Sequence, residues 1–215
     1  ICTDKTGTLT RDEMTVRALQ LGARRIAVSG SGYALSGEFT EGARTIDARA
    51  DAQLALALRI GALCCDATLD RSGENAVVLG DPTEGALLVA AAKAGMIKDQ
   101  LERETPRIRE LPFSSEAMRM VTFHRGPAGT ATAYVKGAPA VVLDASGEEL
   151  TGEGVRPMTP EARRRALGSN RELGGEALRV LALAYKDVPP DPREEDVAAG
   201  LVFVGLVGMI DPLRE

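Results

Sequence analysis

The sequence predicts an α+β domain in which an antiparallel β-sheet is flanked by helices. Short runs of apolar and β-branched residues recur along the chain, and such runs are typical of strands. Three of them follow one another between Arg107 and Lys136, and Gly126-Pro127-Ala128-Gly129 joins the last two with a hairpin signal. Pairs of helical patterns interrupt the strands, which argues for an α+β architecture.

In the first half of the chain, strands are predicted at about 14–19 and 24–29, with a glycine-bearing turn between them. A loop rich in Gly, Ser and Thr follows to about residue 47. Apolar residues at helical spacing predict the first helix over 52–65, and a short β-branched strand is predicted at 75–80. These elements precede the second helix.

Asp81-Pro82-Thr83-Glu84 predicts the start of that second helix, which runs to about Gly95. Asp81 suits the N-cap, Pro82 the first helical position and Glu84 the capping-box position. The remaining predicted elements are strands at 107–113, 118–125 and 130–136, a helix at 159–173, a strand at 179–186, an extended proline-rich loop at 189–192 and a buried final strand at 201–210.

The chain has 215 residues, of which 44% are hydrophobic, enough for a full core in one domain or slightly more. Its longest apolar stretch, Leu201 to Ile210, has ten residues. A membrane-spanning helix needs about 20 residues, so we expect none within this chain. The chain opens without a leader or an initiator methionine, and we expect it to be a piece of a longer protein.

The charge and the cysteines exclude several classes of function. A net charge of -5 and 3% aromatic residues offer neither the basic field nor the stacking surfaces that nucleic acid requires, so we expect no nucleic-acid partner. Cys2, Cys64 and Cys65 are badly spaced for a disulfide framework, and His124 is the single histidine. We expect a reducing, cytosolic environment, with Cys64 and Cys65 buried near a helix end.

The opening run from Ile1 to Thr10 places a carboxylate after an apolar strand, followed by backbone N–H groups and hydroxyls that can hold a phosphoryl group. Asp4-Lys5-Thr6-Gly7-Thr8 resembles the phosphorylation motif of the P-type ATPases, within the haloacid-dehalogenase-like superfamily. The resemblance implies that Asp4 attacks the γ-phosphate of ATP and forms an aspartyl phosphate. The resemblance implies that Asp4, Lys5 and Thr6 are catalytic, with Asp4 and Thr6 as Mg²⁺ ligands.

Phosphatases of that superfamily carry a second aspartate two residues after the nucleophile, as a general acid and base. This chain has Thr6 at that position. Because threonine does not shuttle protons at neutral pH, the phosphoenzyme should persist, which favours an energy-coupling enzyme over a phosphatase.

Three further segments resemble the nucleotide site of the same ATPases. Lys136-Gly137-Ala138-Pro139 ends a strand in a lysine that can reach nucleotide, and Gly137 lets the backbone come close to it. Thr83 and Glu84 resemble the adenosine contacts, with Glu84 accepting from the adenine amino group. Arg179 matches an arginine near the β-phosphate. The alternatives are that Lys136 is a surface lysine before a turn and that Arg179 forms a structural ion pair. Glu84 can complete a capping box whether or not it also contacts adenosine.

The segment from Phe113 to Met120 resembles the adenine-stacking segment, with Phe113 as the stacking ring and Met120 as an apolar wall. Ordinary core packing is the alternative for Phe113. The family usually has Arg-Lys where this chain has Ala117 and Met118, and Arg119 faces the other way on a strand. The sequence therefore predicts a weaker and less salt-sensitive nucleotide site than in the family.

The segment from Asp211 to Arg214 resembles the family's return hinge and implies that both residues contribute to nucleotide binding. The implied organisation is 1–12 as the first strand and motif of a phosphorylation domain, 13–208 as the nucleotide-binding domain, and 209–215 as the return hinge.

The resemblance implies ATP and Mg²⁺ as cofactors, ATP or ADP as ligands, and the phosphorylation, actuator and membrane domains of the same pump as partners. It places the chain on the cytoplasmic side of an integral membrane protein of the calcium and sodium-potassium branch. The isolated chain should bind nucleotide with little turnover. Two alternatives stay open: a haloacid-dehalogenase-like phosphatase, and an interaction domain that has lost nucleotide binding.

Overall fold

The computed structural model describes residues 13–72, 76–126 and 129–211 of the chain. In these ranges it has thirteen β-strands: β1 (Thr15–Leu21), β2 (Arg24–Val28), β3 (Phe39–Glu41), β4 (Arg44–Ile46), β5 (Thr68–Asp70), β6 (Val77–Leu79), β7 (Arg107–Leu111), β8 (Arg119–Arg125), β9 (Ala131–Gly137), β10 (Ser146–Thr151), β11 (Gly154–Pro157), β12 (Arg179–Val188) and β13 (Leu201–Ile210). The same ranges contain five α-helices: α1 (Ala52–Leu63), α2 (Pro82–Lys93), α3 (Lys98–Glu104), α4 (Pro139–Ala145) and α5 (Pro160–Gly175).

One large sheet organises the described part of the chain and confirms the predicted fold class. Nine strands lie in the order β4-β3-β2-β1-β13-β12-β9-β8-β7, and every neighbouring pair is antiparallel. β10 joins the first residues of β13 as a parallel neighbour and pairs with β11. β13 is buried along all but its last residue, as its continuous apolar run predicts.

Helices cover both faces of this sheet. α1 and α2 pack over one face in a core that includes Met120 and Leu183. α4 and α5 pack over the other face in a second core that includes Val121 and Ala182. Successive residues of one strand face opposite cores because side chains alternate across a sheet. The result is a three-layer arrangement, so the central strands are apolar on both sides.

The helix starts follow the predicted capping chemistry. Asp81 Oδ1 accepts hydrogen bonds from the N–H groups of Thr83 and Glu84 at 2.8 and 3.2 Å. Thr159 Oγ1 accepts from Ala162 N at 3.1 Å. Proline occupies the first turn of α2, α4 and α5, where its missing N–H leaves no gap in the hydrogen-bond ladder. The predicted helix start at Asp81 is confirmed.

The sequence patterns did not predict several short helices and strands. The region interpreted as a loop up to residue 47 contains β3 and β4, and α3, α4, β5, β10 and β11 were not predicted. Each of these elements has seven residues or fewer. A segment of that length shows no reliable period, because its conformation depends on the neighbours that it pairs with or packs against.

The first and last strands of the described residues lie side by side. β1 and β13 pair antiparallel, with Thr15 opposite Ile210. The chain therefore enters and leaves the large sheet at adjacent points. The predicted segment 1–12 lies outside the described residues. In the described ranges, none of the helices has the length and apolarity needed to cross a membrane.

Candidate functional site

A cavity of about 390 Å³ lies where the end of α1, the start of α2, the link from β7 to β8, the end of β9 and the start of β12 meet. Its lining contains six residues that the sequence predicts for nucleotide binding. They are Thr83, Glu84, Phe113, Lys136, Gly137 and Arg179. The strand register helps to bring them together, because Lys136 near the end of β9 pairs with Leu183 of β12, four residues from Arg179.

The cavity lining also includes residues that the sequence analysis missed: Asp66, Ala67, Gly80, Asp81 and Leu181. Asp81 was predicted only as a helix cap. Asp66 and Ala67 lie between the end of α1 and β5, and no local pattern marks them. The one signal in the sequence was their place in the connection after a predicted helix, since binding residues often lie on connecting segments.

Glu84 and Lys136 form a close ion pair through Glu84 Oε1 and Lys136 Nζ. Their side chains are 14% and 8% exposed, so both charges are largely removed from water. The other carboxylate oxygen, Oε2, accepts from the backbone N–H groups of Asp66 and Ala67, both at 2.8 Å. The predicted capping-box role of Glu84 is therefore wrong: its carboxylate bonds across the fold and not back to the start of its own helix. The surface-lysine alternative for Lys136 is also wrong.

Burial and a neighbouring charge shift the pKa of Lys136 in opposite directions. Desolvation lowers the pKa of its ammonium, but the adjacent Glu84 carboxylate raises it, and the pKa lies above its ordinary value. Lys136 is therefore protonated at neutral pH. Burial raises the pKa of the Cys64 thiol, and it raises that of Cys65 to about 12. Both cysteines are fully buried at the end of α1, as predicted, and both are protonated thiols without nucleophilic character.

Phe113 stands on the rim of the cavity in the link between β7 and β8. It is 62% exposed, which excludes the alternative that it is an ordinary core residue. Leu181 contributes a second apolar side chain to the lining. The flat face of this exposed ring beside the cavity suits a planar ligand.

Gly137 is required by strand packing. A Cβ atom at this position would lie 2.6 Å from both Arg119 Cβ and the carbonyl oxygen of Met118. Side-chain atoms do not approach that closely, so β8 leaves room only for glycine. The next residue, Ala138, donates its N–H to the same Met118 oxygen at 2.9 Å. Strand packing is thus a sufficient reason for this glycine, and the close approach of a ligand stays a prediction.

The residues around the start of β8 differ from their prediction. Met120 is 1% exposed and packs in the core beneath α1, so its predicted role as an apolar wall of the cavity is wrong. The pleat of β8 turns this side chain to the α1 side. Met118 has a left-handed backbone, with φ of 50°, and a side chain directed to solvent at 44% exposure. Within the described ranges, the cavity lining includes neither Met118 nor Arg119.

The charged side chains around the cavity differ in whether they already have partners. The carboxylates of Asp66, Asp81 and Glu84 bond to Arg107, to the start of α2 and to Lys136 respectively. Arg179 is exposed, and no ion pair to it occurs in the part of the chain that the structure describes. The predicted alternative of a structural ion pair is therefore not found there. In that part of the chain, Arg179 is the lining cation without a carboxylate partner.

The remaining predicted residues lie at the ends of the chain. Asp211 is half-buried, and its Oδ1 atom has no hydrogen-bond partner among the described residues. Asp211 is not part of the cavity lining that those residues form. Asp4, Lys5, Thr6 and Arg214 lie outside the described residues. The described part contains no group of three His, Cys, Asp or Glu residues arranged to hold a metal ion.

Comparison with known proteins gives a consistent set of relatives. The family model of the P-type ATPase cytoplasmic domain N matches residues 53–215. Cation-transporting ATPase pma1 of Synechocystis sp. is 39% identical over 222 residues, which cover all of this chain and 24% of that protein. The calcium-transporting ATPase of Bacillus subtilis is 34% identical over 216 residues, with 100% and 24% covered. The chain thus spans about a quarter of the length of these relatives.

Proposed function

Because this chain belongs to the P-type cation-transporting ATPases as their cytoplasmic domain N, we propose that it binds ATP or ADP in the cavity beside Phe113. The observation that carries the proposal is the convergence of Thr83, Glu84, Phe113, Lys136, Gly137 and Arg179 on one cavity. These residues come from four separate segments of the sequence, each of which resembles a nucleotide-site segment of the family.

The geometry supports recognition of the adenine base. The exposed ring of Phe113 offers a face on which a purine can stack, and each such stack contributes about 1–3 kcal/mol. Glu84 is held by Lys136 and two backbone amides as a hydrogen-bond acceptor at the cavity wall. A carboxylate in this position favours a base with an exocyclic amino group, as adenine has.

The phosphates would meet fewer charged groups than the base. Arg179 is the lining cation that is left without a carboxylate partner in the described residues, so we assign it to the phosphates. Met118 stands where the family usually has a lysine. We therefore expect the nucleoside part to contribute most of the binding free energy, and ATP and ADP to bind with similar affinity.

In the whole protein, we propose that ATP phosphorylates Asp4 and that the aspartyl phosphate drives cation transport. The pairing of Thr15 with Ile210 places the two connections to the flanks side by side, a geometry suited to a two-strand hinge that moves bound nucleotide toward Asp4. Mg²⁺, with Asp4 and Thr6 as its proposed ligands, would neutralise charge on the phosphates. Calcium is the cation to test first, because the Bacillus subtilis relative is named a calcium-transporting ATPase.

The proposal is tested by titrating the chain with ATP and ADP while backbone amide NMR signals are followed. We expect saturable shifts at Glu84, Phe113 and Lys136. Signals that stay unchanged at millimolar nucleotide would instead favour an interaction domain that keeps the fold without binding nucleotide. Hydrolysis of p-nitrophenyl phosphate by the purified chain would favour the phosphatase alternative, whereas we expect none.

A further inference from the structure

Three residues between α1 and β5, Cys65, Asp66 and Ala67, carry charged partners on both sides of their backbone. On one side, the N–H groups of Asp66 and Ala67 both donate to Glu84 Oε2 at 2.8 Å. On the other side, the carbonyl groups of Cys65 and Ala67 accept from Lys98 Nζ at 2.6 and 2.9 Å. Lys98 is the first residue of α3, so a short helix holds this segment from behind.

Arg107, the first residue of β7, holds the same segment from a second direction. Its Nη2 atom donates to the carbonyl oxygens of Cys65 at 2.6 Å and Leu63 at 3.0 Å. Its Nη1 atom pairs with Asp66 Oδ1 at 2.6 Å. The Cys65 carbonyl therefore accepts from two cationic side chains. The side chains of Lys98 and Arg107 are 12% and 20% exposed, so bulk water screens these contacts only in part.

The peptide group that joins Cys65 to Asp66 has cations at its oxygen and a carboxylate at its N–H. Hydrogen bonds arranged in series through one peptide group polarise each other, and bonds to charged groups are stronger than neutral ones. The two cations thereby strengthen the contact between the Asp66 amide and Glu84. Within the described ranges, neither Lys98 nor Arg107 lines the cavity. Lys98 therefore reaches the cavity through this backbone, and Arg107 reaches it through this backbone and through the Asp66 carboxylate.

We infer that Lys98 and Arg107 are positioning residues, which orient Glu84 through the Cys65–Ala67 backbone and so set the base selectivity of the cavity. The inference rests on the proposed nucleotide site. Glu84 can distinguish an exocyclic amino group, as in adenine, from the carbonyl that hypoxanthine has at the same position. We call Lys98, Arg107 and the Cys65–Ala67 backbone that they hold the clamp. Without the clamp, the Glu84 carboxylate would keep its contact with Lys136 and lose its fixed direction.

The test compares the affinities of the chain for ATP and ITP by titration calorimetry. One hydrogen bond to a charged group corresponds to roughly a tenfold preference, so the wild-type chain should bind ATP about tenfold more tightly than ITP. Lys98→Met should reduce that ratio at least about threefold through weaker ATP binding, with ITP affinity little changed. Lys98→Arg, which keeps a cationic donor, should restore most of the ratio.

Lys93→Met is the matched control. Lys93 also donates to a backbone carbonyl, that of Ser29 at 2.6 Å, but it does not touch the Cys65–Ala67 segment. The control should keep the wild-type ratio. A Lys98→Met ratio equal to that of the wild type, or an equal loss of ATP and ITP affinity, would overturn the inference. A wild-type chain that binds neither nucleotide would instead overturn the proposed function.

A measurement on the wild-type chain tests the clamp without a substitution at Lys98. Asp66 is an exposed residue, yet its amide and that of Ala67 donate to Glu84. Both amide protons should therefore exchange slowly with solvent and resonate downfield, and Lys93→Met should leave both properties unchanged. Rapid exchange of these two amides in the folded wild-type chain would contradict the clamp even if Lys98→Met failed to fold.

Discussion

Glu84 illustrates how one residue acquires a role that its local sequence does not predict. Its position at the start of α2 suits a capping box, but its carboxylate bonds to Lys136 and to the amides of Asp66 and Ala67. A buried carboxylate is stable only when its oxygens are paired, and these partners come from two other segments of the chain. The tertiary neighbours of Glu84 thus determine that its carboxylate pairs across the fold instead of capping its own helix.

Phe113→Ala should weaken ATP binding by roughly tenfold, because it removes a stacking face that contributes on the order of 1–3 kcal/mol. The ring is 62% exposed, so the free energy of unfolding should change little. Calorimetric titration and urea unfolding measure the two effects. Val155→Ala, at another exposed apolar residue, is the control and should change neither quantity. Equal ATP affinity in wild type and Phe113→Ala would argue against stacking.

Met118→Lys tests the expected shortage of cations for the phosphates. The side chain is 44% exposed in the link that precedes β8, so a lysine there can extend without entering the core. We expect ATP affinity to rise about threefold to tenfold at low salt, with the gain lost at high salt and little change for adenosine. Met118→Gln adds a polar group without a charge and should show no such gain. A lysine variant with unchanged ATP affinity would show that this position does not reach the phosphates.

His124 predicts a pH dependence of stability. Burial, together with nearby Arg107, Arg59 and Lys98, lowers its pKa from 6.5 to about 4 even though its ring bonds to the Thr105 carbonyl. Between these pH values the unfolded chain binds the proton and the folded chain does not. The free energy of unfolding should therefore fall by about 3 kcal/mol as the pH drops from 6.5 to 4, and stay level above 6.5.

Urea unfolding at a series of pH values measures this effect. Glutamine does not titrate. In His124→Gln, the fall in the free energy of unfolding between pH 6.5 and 4 should therefore be absent or much smaller than in the wild type. A wild-type slope that persists unchanged in His124→Gln would assign the pH dependence to other groups.

At the scale of elements, the start of α2 links helix stability to the cavity. Asp81 caps the helix through Thr83 N and Glu84 N, and the two residues that donate these N–H groups line the cavity. The cap therefore fixes both the helix end and the direction in which Thr83 and Glu84 project. Phe113, by contrast, lies on a link between strands, where its backbone depends on the strands at either end.

Asp81→Ala should lower the free energy of unfolding by about 1 kcal/mol, the usual effect of losing an N-cap, and should also weaken ATP binding. Thr159→Ala is the matched control, because Thr159 caps α5, which packs in the core on the other face of the sheet. It should lower stability by a similar amount and leave ATP affinity unchanged. Chemical unfolding and titration calorimetry on both variants separate the two effects, and equal ATP affinities in both would show that the α2 cap does not serve the cavity.

At the scale of the whole molecule, the large sheet lies between two apolar cores and is shared by both. Leu183 belongs to the core under α1 and α2, whereas Leu206 belongs to the core under α4 and α5. The strands that carry them, β12 and β13, are direct neighbours in the sheet. Neither core can lose its strands without exposing the other, so the described part of the chain should unfold as one unit.

Leu183→Ala and Leu206→Ala should each lower the free energy of unfolding by about 2–5 kcal/mol, because both side chains are 1% exposed. Each variant should still unfold in a single transition, with the same midpoint whether it is followed by circular dichroism or by the loss of NMR signals. Two separate transitions in either variant would mean that the cores are independent.

The sequence by itself determined the main features of this protein. Its apolar runs predicted most of the long strands and helices, and the resemblance of the segments at 83–84, 113, 136–137 and 179 to those of the ATPases predicted a nucleotide site whose residues line one cavity. Periodicity and motif composition are local properties, so they can be read from the chain alone. The same holds for the helix start at Asp81, whose capping chemistry involves only its neighbours.

Only the tertiary structure decided which of those side chains share a space. It turned Met120 into the core, left Phe113 exposed, and paired Glu84 with Lys136 and the Asp66 and Ala67 amides. The direction of a strand residue depends on which face of the sheet is covered, and the partner of a buried charge depends on segments far away in sequence. Neither quantity is a property of a local pattern, which is why the cavity and its clamp became visible only in the folded chain.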